Sequence, residues 1–139
     1  MAGRSDLEML DDLLALEERL VSAYEAALRR DAIAPELGRA LRDQEHEHVQ
    51  ALEQALAGAG RRNPRASVPQ PELGAVLRDR DAFALFALDM EQEAVGAYVQ
   101  VAAEIRNPRL RQPLGSIMAC EAAHAVALRD SLGDRPLVD

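Results

Sequence analysis

Hydrophobic residues recur every three or four positions along four stretches of the chain, which is the spacing of an amphipathic helix. The pattern predicts helices over about residues 7–30, 35–57, 80–106 and 108–132. Between the second and third stretches, residues 59–79 hold three of the seven prolines. Such a density of proline predicts a connection and not a helix.

Residues at the ends of these stretches help to define the helix limits. Ser5 or Asp6 can cap the first helix, and Glu8 is placed for a capping box. Pro35 suits the first turn of the second helix. Pro113 conflicts with a fourth helix that starts at residue 108, because proline removes a hydrogen bond from a helix interior. It predicts either a kink or a later start, at about residue 112.

The four predicted helices can form one bundle of two antiparallel hairpins. A helix of about 25 residues is about 37 Å long at about 1.5 Å per residue. The 59–79 connection, at up to about 3.3 Å per residue, is long enough to run back along that length. The sequence therefore predicts a single all-α domain over residues 1–139, a four-helix bundle whose hairpins are joined by a long crossover.

Composition and charge limit the partners of such a bundle. The chain of 139 residues is 48% hydrophobic and 29% charged, as expected of a soluble globular domain. Its net charge of -8 argues against binding nucleic acid, because no basic stripe is present to displace phosphate counterions. No apolar stretch reaches membrane-spanning length, and the acidic start lacks the features of a signal peptide. With a single cysteine and no internal disulfide, the expected location is the cytoplasm.

Two Glu-x-x-His pairs interrupt the apolar faces of the second and fourth helices. Glu45 and His48 form one pair, and Glu121 and His124 form the other, 76 positions later. On a helix, residues three apart lie on the same face, about one turn from each other. The pairs contain two of the three histidines in the chain, so the repeated residues are of types that bind metals.

The first and third helices carry a second repeat, Glu-x6-Tyr. Glu17 precedes Tyr24 and Glu91 precedes Tyr98, at an offset of 74 positions, and these are the only two tyrosines. The two repeats together indicate a duplicated helical hairpin. Two interpretations of the tyrosines are left open: ordinary core residues, or hydrogen-bond donors to a metal-binding carboxylate.

In antiparallel hairpins the repeated glutamates and histidines meet at one level near the middle of the bundle. A dinuclear centre in a four-helix bundle takes one Glu from each of two helices and a Glu-x-x-His pair from each of the others. Unpaired carboxylates on an apolar face would be costly, whereas two divalent cations neutralise four carboxylates. The mixed oxygen and nitrogen donors suit iron or manganese, with zinc as another candidate. The predicted ligands are Glu17, Glu45, His48, Glu91, Glu121 and His124.

Three residues beside the predicted ligands have simpler expectations. Gln44 lies one turn before His48 and is predicted to orient that ring. Cys120 is predicted to be a buried packing thiol, and His46, which is out of register with the apolar face, is predicted to be exposed.

The repeated motifs resemble those of the ferritin-like superfamily. Glu-x6-Tyr, followed 28 to 30 residues after its Glu by Glu-x-x-His, occurs twice over about residues 7–132. This arrangement is similar to the di-iron signature of bacterioferritin and its relatives, and the chain resembles the small bacterial ferritin-like domain proteins. The resemblance implies an up-down-down-up bundle with a crossover, and it implies that the same six residues are the metal ligands.

These observations lead to three hypotheses for function. The first is a di-metal protein with redox activity linked to O2 or peroxide, such as ferrous iron oxidation. The second is a metal-binding protein without catalysis, and the third is a metal-free helical bundle that acts as a scaffold or interaction module. Whether the protein is an enzyme is left open, as is the formation of a homodimer.

Overall fold

Four α-helices account for most of the residues that the structure describes. The computed structural model describes residues 3–61 and 72–133. Within those residues no strand is present, and the predicted all-α four-helix bundle is confirmed. The elements are α1 (Asp6–Arg29), α2 (Pro35–Gly58), α3 (Arg80–Glu104), a 3-10 turn (Pro108–Leu110) and α4 (Arg111–Ser131).

Ion pairs between helix ends show the directions in which the helices run. Arg61, just after α2, pairs with Asp11 near the start of α1, so these two helices are antiparallel. Arg80, at the start of α3, pairs with Asp31 just after α1, with its Nη2 2.8 Å from Asp31 Oδ1. Because α3 therefore starts where α1 ends, α2 and α3 run parallel. This is the up-down-down-up order, and the part of its predicted crossover at residues 62–71 lies outside the described residues.

The ends of α1 and α4 follow the predicted capping chemistry, with one difference. Ser5 Oγ accepts the backbone N–H of Glu8, and the Glu8 side chain accepts the N–H of Ser5, so the capping box is confirmed. The α4 helix begins at Arg111, three residues later than predicted, after a 3-10 turn. Pro113 then falls in the first turn, where backbone N–H groups have no intrahelical partner and a proline is tolerated.

Two apolar clusters fill the bundle on either side of its middle. One lies towards the end of α1 and start of α3, with Tyr24 and Phe83 among its members. The other lies towards the start of α1 and the end of α3, with Leu13 and Tyr98 among its members. The six predicted ligands lie between the clusters, and one tyrosine from each cluster reaches towards them.

Candidate metal centre

All four helices contribute to a polar centre between the two apolar clusters. The six predicted ligands meet there: Glu17 from α1, Glu45 and His48 from α2, Glu91 from α3, and Glu121 and His124 from α4. The four carboxylates have no solvent exposure, and the two histidines are 7% and 3% exposed. A charged group is rarely buried to this degree without a compensating partner.

Glu45 and Glu121 each contact both imidazoles. Within its own helix, Glu45 Oε2 lies 2.9 Å from His48 Nδ1, because the two residues are one turn apart. Its other oxygen, Oε1, lies 2.9 Å from His124 Nδ1 on α4. Glu121 repeats the arrangement, with one oxygen 3.1 Å from each Nδ1. A carboxylate with one oxygen directed to each side is the geometry that bridges two cations.

Glu17 and Glu91 complete two groups of four. Glu17 Oε2 lies 3.6 Å from His48 Nδ1, and Glu91 Oε1 lies 3.4 Å from His124 Nδ1. In each group the candidate ligand atoms all lie within 4.8 Å of one another, close enough to hold a metal ion. The groups are Glu17, Glu45, His48 and Glu121, and Glu45, Glu91, Glu121 and His124.

One oxygen of Glu17 and one of Glu91 bear directly on whether a metal fits. Glu17 Oε2 and Glu91 Oε2 are buried and have no hydrogen-bond partner among the described residues. Leaving a buried acceptor unsatisfied costs about 1–3 kcal/mol, and more for a charged group. A cation in the first group would satisfy Glu17 Oε2, which faces His48 Nδ1, and Glu91 contributes a second buried, unpartnered oxygen beside the other group, so the donor set fits a metal on each side.

The remaining oxygens of these two glutamates are held by the tyrosines, each from the other hairpin. Tyr24 Oη on α1 donates to Glu91 Oε1 on α3 at 2.5 Å. Tyr98 Oη on α3 donates to Glu17 Oε1 on α1. Burial, and then the nearby carboxylate charge, raises the pKa of both tyrosines, so both hydroxyls keep their protons and act as donors. Of the two interpretations of the tyrosines, the structure shows the hydrogen bond to a carboxylate.

The carboxylates around His48 and His124 favour the protonated form of both imidazoles. Burial alone would lower the pKa of either ring, but three carboxylates around each Nδ1 outweigh that penalty. The pKa of His48 is held well above its ordinary value, and that of His124 is raised to about 12. The centroids of the two rings lie 5.9 Å apart, with 25° between the ring planes, so the two imidazoles face each other across the centre.

The four carboxyl groups divide into two whose pKa is raised and two whose pKa is lowered. Burial raises the pKa of Glu45 to about 7 and that of Glu121 to about 10, although the imidazoles pull in the opposite direction. Burial also raises the pKa of Glu17 and Glu91, but the nearby imidazolium outweighs it and leaves both below their ordinary value. Without metal, Glu17 and Glu91 therefore lose their protons more readily than an ordinary carboxyl group, and Glu45 and Glu121 keep theirs to higher pH.

Outside the carboxylate shell, Gln44 contacts His124 and not the predicted His48. Gln44 Oε1 lies 2.5 Å from His124 Nε2, because the α2 side chain extends across to the neighbouring α4. Cys120 Sγ lies 3.4 Å from the same nitrogen and is only half-buried, so the prediction of a buried packing thiol is wrong. His46 is exposed as predicted, with Nε2 3.4 Å from Glu25 Oε1.

Sequence reasoning missed this contact between Gln44 and His124. The four-residue spacing of Cys120 and His124 would have indicated their contact, since such residues lie on one helix face. No such signal links Gln44 to His124, which are 80 positions apart. Their contact depends on how closely α2 and α4 approach, and helical periodicity does not encode that distance.

Fold and site together define a class of protein: a four-helix bundle with a buried carboxylate–histidine centre that could hold metal. The sequence matches the family described as Ferritin-like domain over residues 5–134, and the chain belongs to that family. No curated protein matches the chain. Among the described residues, no helix is both long enough and apolar enough to cross a membrane.

Proposed function

We propose that the protein binds two divalent metal ions, iron in the first instance, and oxidises ferrous iron with O2 or peroxide. The observation that carries the proposal is the pair of buried four-residue groups that share Glu45 and Glu121. Each group also includes a glutamate, Glu17 or Glu91, with a buried oxygen that lacks a hydrogen-bond partner. Carboxylates and imidazoles without thiolates are the donors that suit iron and manganese, and zinc is a further occupant of such a set.

The ligands of the proposed centre have separate tasks. Glu45 and Glu121, which belong to both groups, would each bind both ions, while His48 with Glu17 and His124 with Glu91 would complete one position each. This matches the requirement of a dinuclear centre in a helical bundle for two Glu-x-x-His pairs and two single glutamates. It is also the basis on which a di-iron signature of the bacterioferritin type is proposed for this chain.

The residues around the ligands would keep the centre ordered and dry. Tyr98 holds Glu17 Oε1 and leaves Glu17 Oε2, which faces His48, free to bind a cation, whereas Tyr24 holds the same Glu91 oxygen that faces His124. The two apolar clusters limit the access of water from either end of the bundle. Bound iron would supply the electrons for reduction of the oxidant, and the protein supplies the geometry in which the two ions act together.

One observation favours a second candidate, a bundle that needs no metal and serves as a scaffold or interaction module. Both imidazoles lie within hydrogen-bonding distance of Glu45 and Glu121, so these four side chains can satisfy one another without a metal. Only two buried oxygens among the six ligand side chains then lack a partner. A non-catalytic metal-binding protein lies between the two candidates, since the same ligands would bind ions without reacting.

Metal uptake and oxidation can be measured separately on the same sample. Apo-protein is loaded with Fe(II) without oxygen, freed of excess metal, analysed for iron, and then exposed to air or peroxide while ferric absorbance and O2 consumption are followed. We expect two irons per chain and rapid oxidation. Two bound irons that stay ferrous would support the non-catalytic alternative, and a chain that takes up no metal would support the scaffold.

A matched pair of variants links the oxidation to this site. Glu45 and Glu47 lie on the same helix, but Glu45 is fully buried and Glu47 is exposed. Glu45→Gln should abolish iron uptake and oxidation, whereas Glu47→Gln should retain both. Equal loss in both variants would show that the metal is not held at the buried centre.

A further inference from the structure

We infer that Gln44 is a positioning residue for His124 and that it makes the two metal positions unequal, with the ion beside His124 held more tightly. The inference rests on the proposed binding of two ions and adds to it an order of binding. It concerns the outer nitrogens of the two imidazoles, which contact different groups in the two halves of the molecule.

The orientation of His124 determines which of its nitrogens must carry a proton. Its Nδ1 faces three carboxylates at 2.9 to 3.4 Å, so this nitrogen is the one that can bind a cation. When Nδ1 binds a metal, the neutral ring carries its proton on Nε2. That N–H requires an acceptor, and Gln44 Oε1 lies 2.5 Å from His124 Nε2.

Such an acceptor has a known effect on a metal-binding histidine. It holds the ring plane and the tautomer in place and makes the other nitrogen a better donor. Removing a partner of this kind typically costs about 10- to 100-fold in metal affinity. Cys120 Sγ, at 3.4 Å from both His124 Nε2 and Gln44 Oε1, packs beside this hydrogen bond, but a thiol is a weak donor and acceptor.

Among the residues that the structure describes, His48 has no partner comparable to Gln44. Its Nδ1 faces carboxylates as that of His124 does, yet no described residue lies within hydrogen-bonding distance of its Nε2. The repeat explains the difference, because the position 76 residues after Gln44 is Cys120. The side chain at that position is short and contacts His124 on its own helix, so it supplies no acceptor across the bundle to His48.

Zn(II) is a suitable probe, because it is diamagnetic and its binding can be followed without any activity. Apo-protein with 15N-labelled histidines is titrated with Zn(II), while calorimetry measures the two binding steps and NMR follows each ring. His46, exposed and outside the centre, serves as the internal reference. We expect His124 Nδ1 to respond at lower Zn(II) than His48 Nδ1, with stepwise affinities that differ by about 10- to 100-fold.

Three variants distinguish positioning from a general structural effect. Gln44→Leu removes the acceptor and should weaken the His124 position by about 10- to 100-fold, so that the two steps merge. Gln44→Glu keeps an acceptor for His124 and should therefore keep the wild-type order in which the two ions bind. Gln54→Leu makes the same replacement at another exposed position of α2 and should leave both steps unchanged.

A fourth variant tests the inference by gain of function. Cys120→Gln places the longer side chain at the position related to Gln44 by the repeat, and it should tighten the His48 position. No gain there would contradict the assignment of the asymmetry to this position. Gln44→Leu protein that binds both ions with wild-type constants would overturn the inference while leaving the proposed function intact. Wild-type protein that binds no Zn(II), Fe(II) or Mn(II) would overturn both.

Discussion

The α1–α2 and α3–α4 hairpins present the same ligands to the centre but different surroundings behind them. Glu17, Glu45 and His48 of the first hairpin correspond to Glu91, Glu121 and His124 of the second, and each set faces the other across the bundle. The contacts behind the two imidazoles differ. His124 contacts Gln44 and Cys120, while the outer nitrogen of His48 has no partner among the described residues. The residues that a pair of cations would touch are duplicated, as are the tyrosines that hold two of them, but the contacts behind the imidazoles are not.

The hairpins also depend on each other. Tyr24 of the first holds Glu91 of the second, and Tyr98 of the second holds Glu17 of the first. Glu45 and Glu121 each contact the histidine of the opposite hairpin as well as their own. Neither hairpin alone contains a complete group of four ligands, so the site exists only when the two are packed together.

The largest expected effect comes from Glu45 and Glu121, the two carboxylates that both four-residue groups share. Glu121→Gln should reduce the affinity of both metal positions by more than about 100-fold, since both groups lose a ligand. Glu17→Gln should weaken only the His48 position. Elemental analysis after equilibrium dialysis measures the difference, with Glu47→Gln as the control. Equal loss of both ions in Glu17→Gln would contradict the assignment of the ligands to two separate groups.

Metal removal should lower stability, because the ions bind only the folded chain. At a metal concentration about 100 times Kd, each site contributes about 2.7 kcal/mol, and in a domain of this size each kcal/mol moves Tm by about 4 °C. Chelation should therefore lower Tm by about 10 °C or more, as measured by circular dichroism. Identical melting curves with and without chelator would show that no ion is bound in the core.

A rise in pH should lower the stability of the metal-free protein but strengthen the binding of metal. Glu45, Glu121 and both histidines have raised pKa values, so the folded metal-free chain binds more protons than the unfolded chain. Its stability should fall as pH rises from about 5 through 7 and towards 10. Metal competes with these same protons, so affinity should rise over that range.

The gap in Tm between loaded and metal-free protein should therefore widen with pH. Thermal melts of both forms at about pH 5.5 and about pH 8.5 would measure it. A gap that is constant or that narrows as pH rises would mean that protons and metal do not share these ligands.

The tyrosines offer a smaller and more symmetric test of the two halves. Tyr24→Phe and Tyr98→Phe each remove a hydroxyl and leave an oxygen of Glu91 or Glu17 without its donor. Each should cost about 1–3 kcal/mol in the metal-free protein. Urea unfolding measures the cost, and two clearly unequal values would show that the inner contacts of the hairpins are less alike than their geometry indicates.

The smallest expected effect concerns a difference in backbone packing between the hairpins. A Cβ at Gly38 would lie 2.6 Å from Leu28 Cδ2 and 2.7 Å from Ile33 Cγ2, whereas the related position in α4 is Leu114. Gly38→Ala should destabilise the chain by about 1 kcal/mol, because overpacking at two side chains exceeds the gain in helix propensity. Metal affinity should not change, and a stabilised variant would show that α1 and α2 can move apart at this end.

Much of this architecture could be predicted because the helical period and the repeat agree. Glu17, Glu45 and His48 lie on apolar faces where polar residues are conspicuous, and the repeat places their counterparts in α3 and α4. Pro113 marked the uncertain start of α4, and the structure places that start within one residue of the position the proline indicated.

The contacts that could not be predicted depend on the distance and rotation between helices. Gln44 was expected to contact His48 within its own helix, but the approach of α2 to α4 directs it to His124. Similarly, the spacing of Tyr24 and Glu17 within α1 gave no indication that the hydroxyl would reach Glu91 on α3. A period of 3.6 residues identifies the inward face of a helix, and the partner across the core follows only from the packed bundle.

The most direct measurement is anomalous scattering from crystals of the protein grown with Fe(II) or Mn(II). Our account predicts two ions about 3.5–4 Å apart, with Glu45 and Glu121 bridging them and a histidine at each outer side. Density for a single ion elsewhere, or a metal-free centre in which the imidazoles remain hydrogen-bonded to the carboxylates despite excess metal, would contradict it.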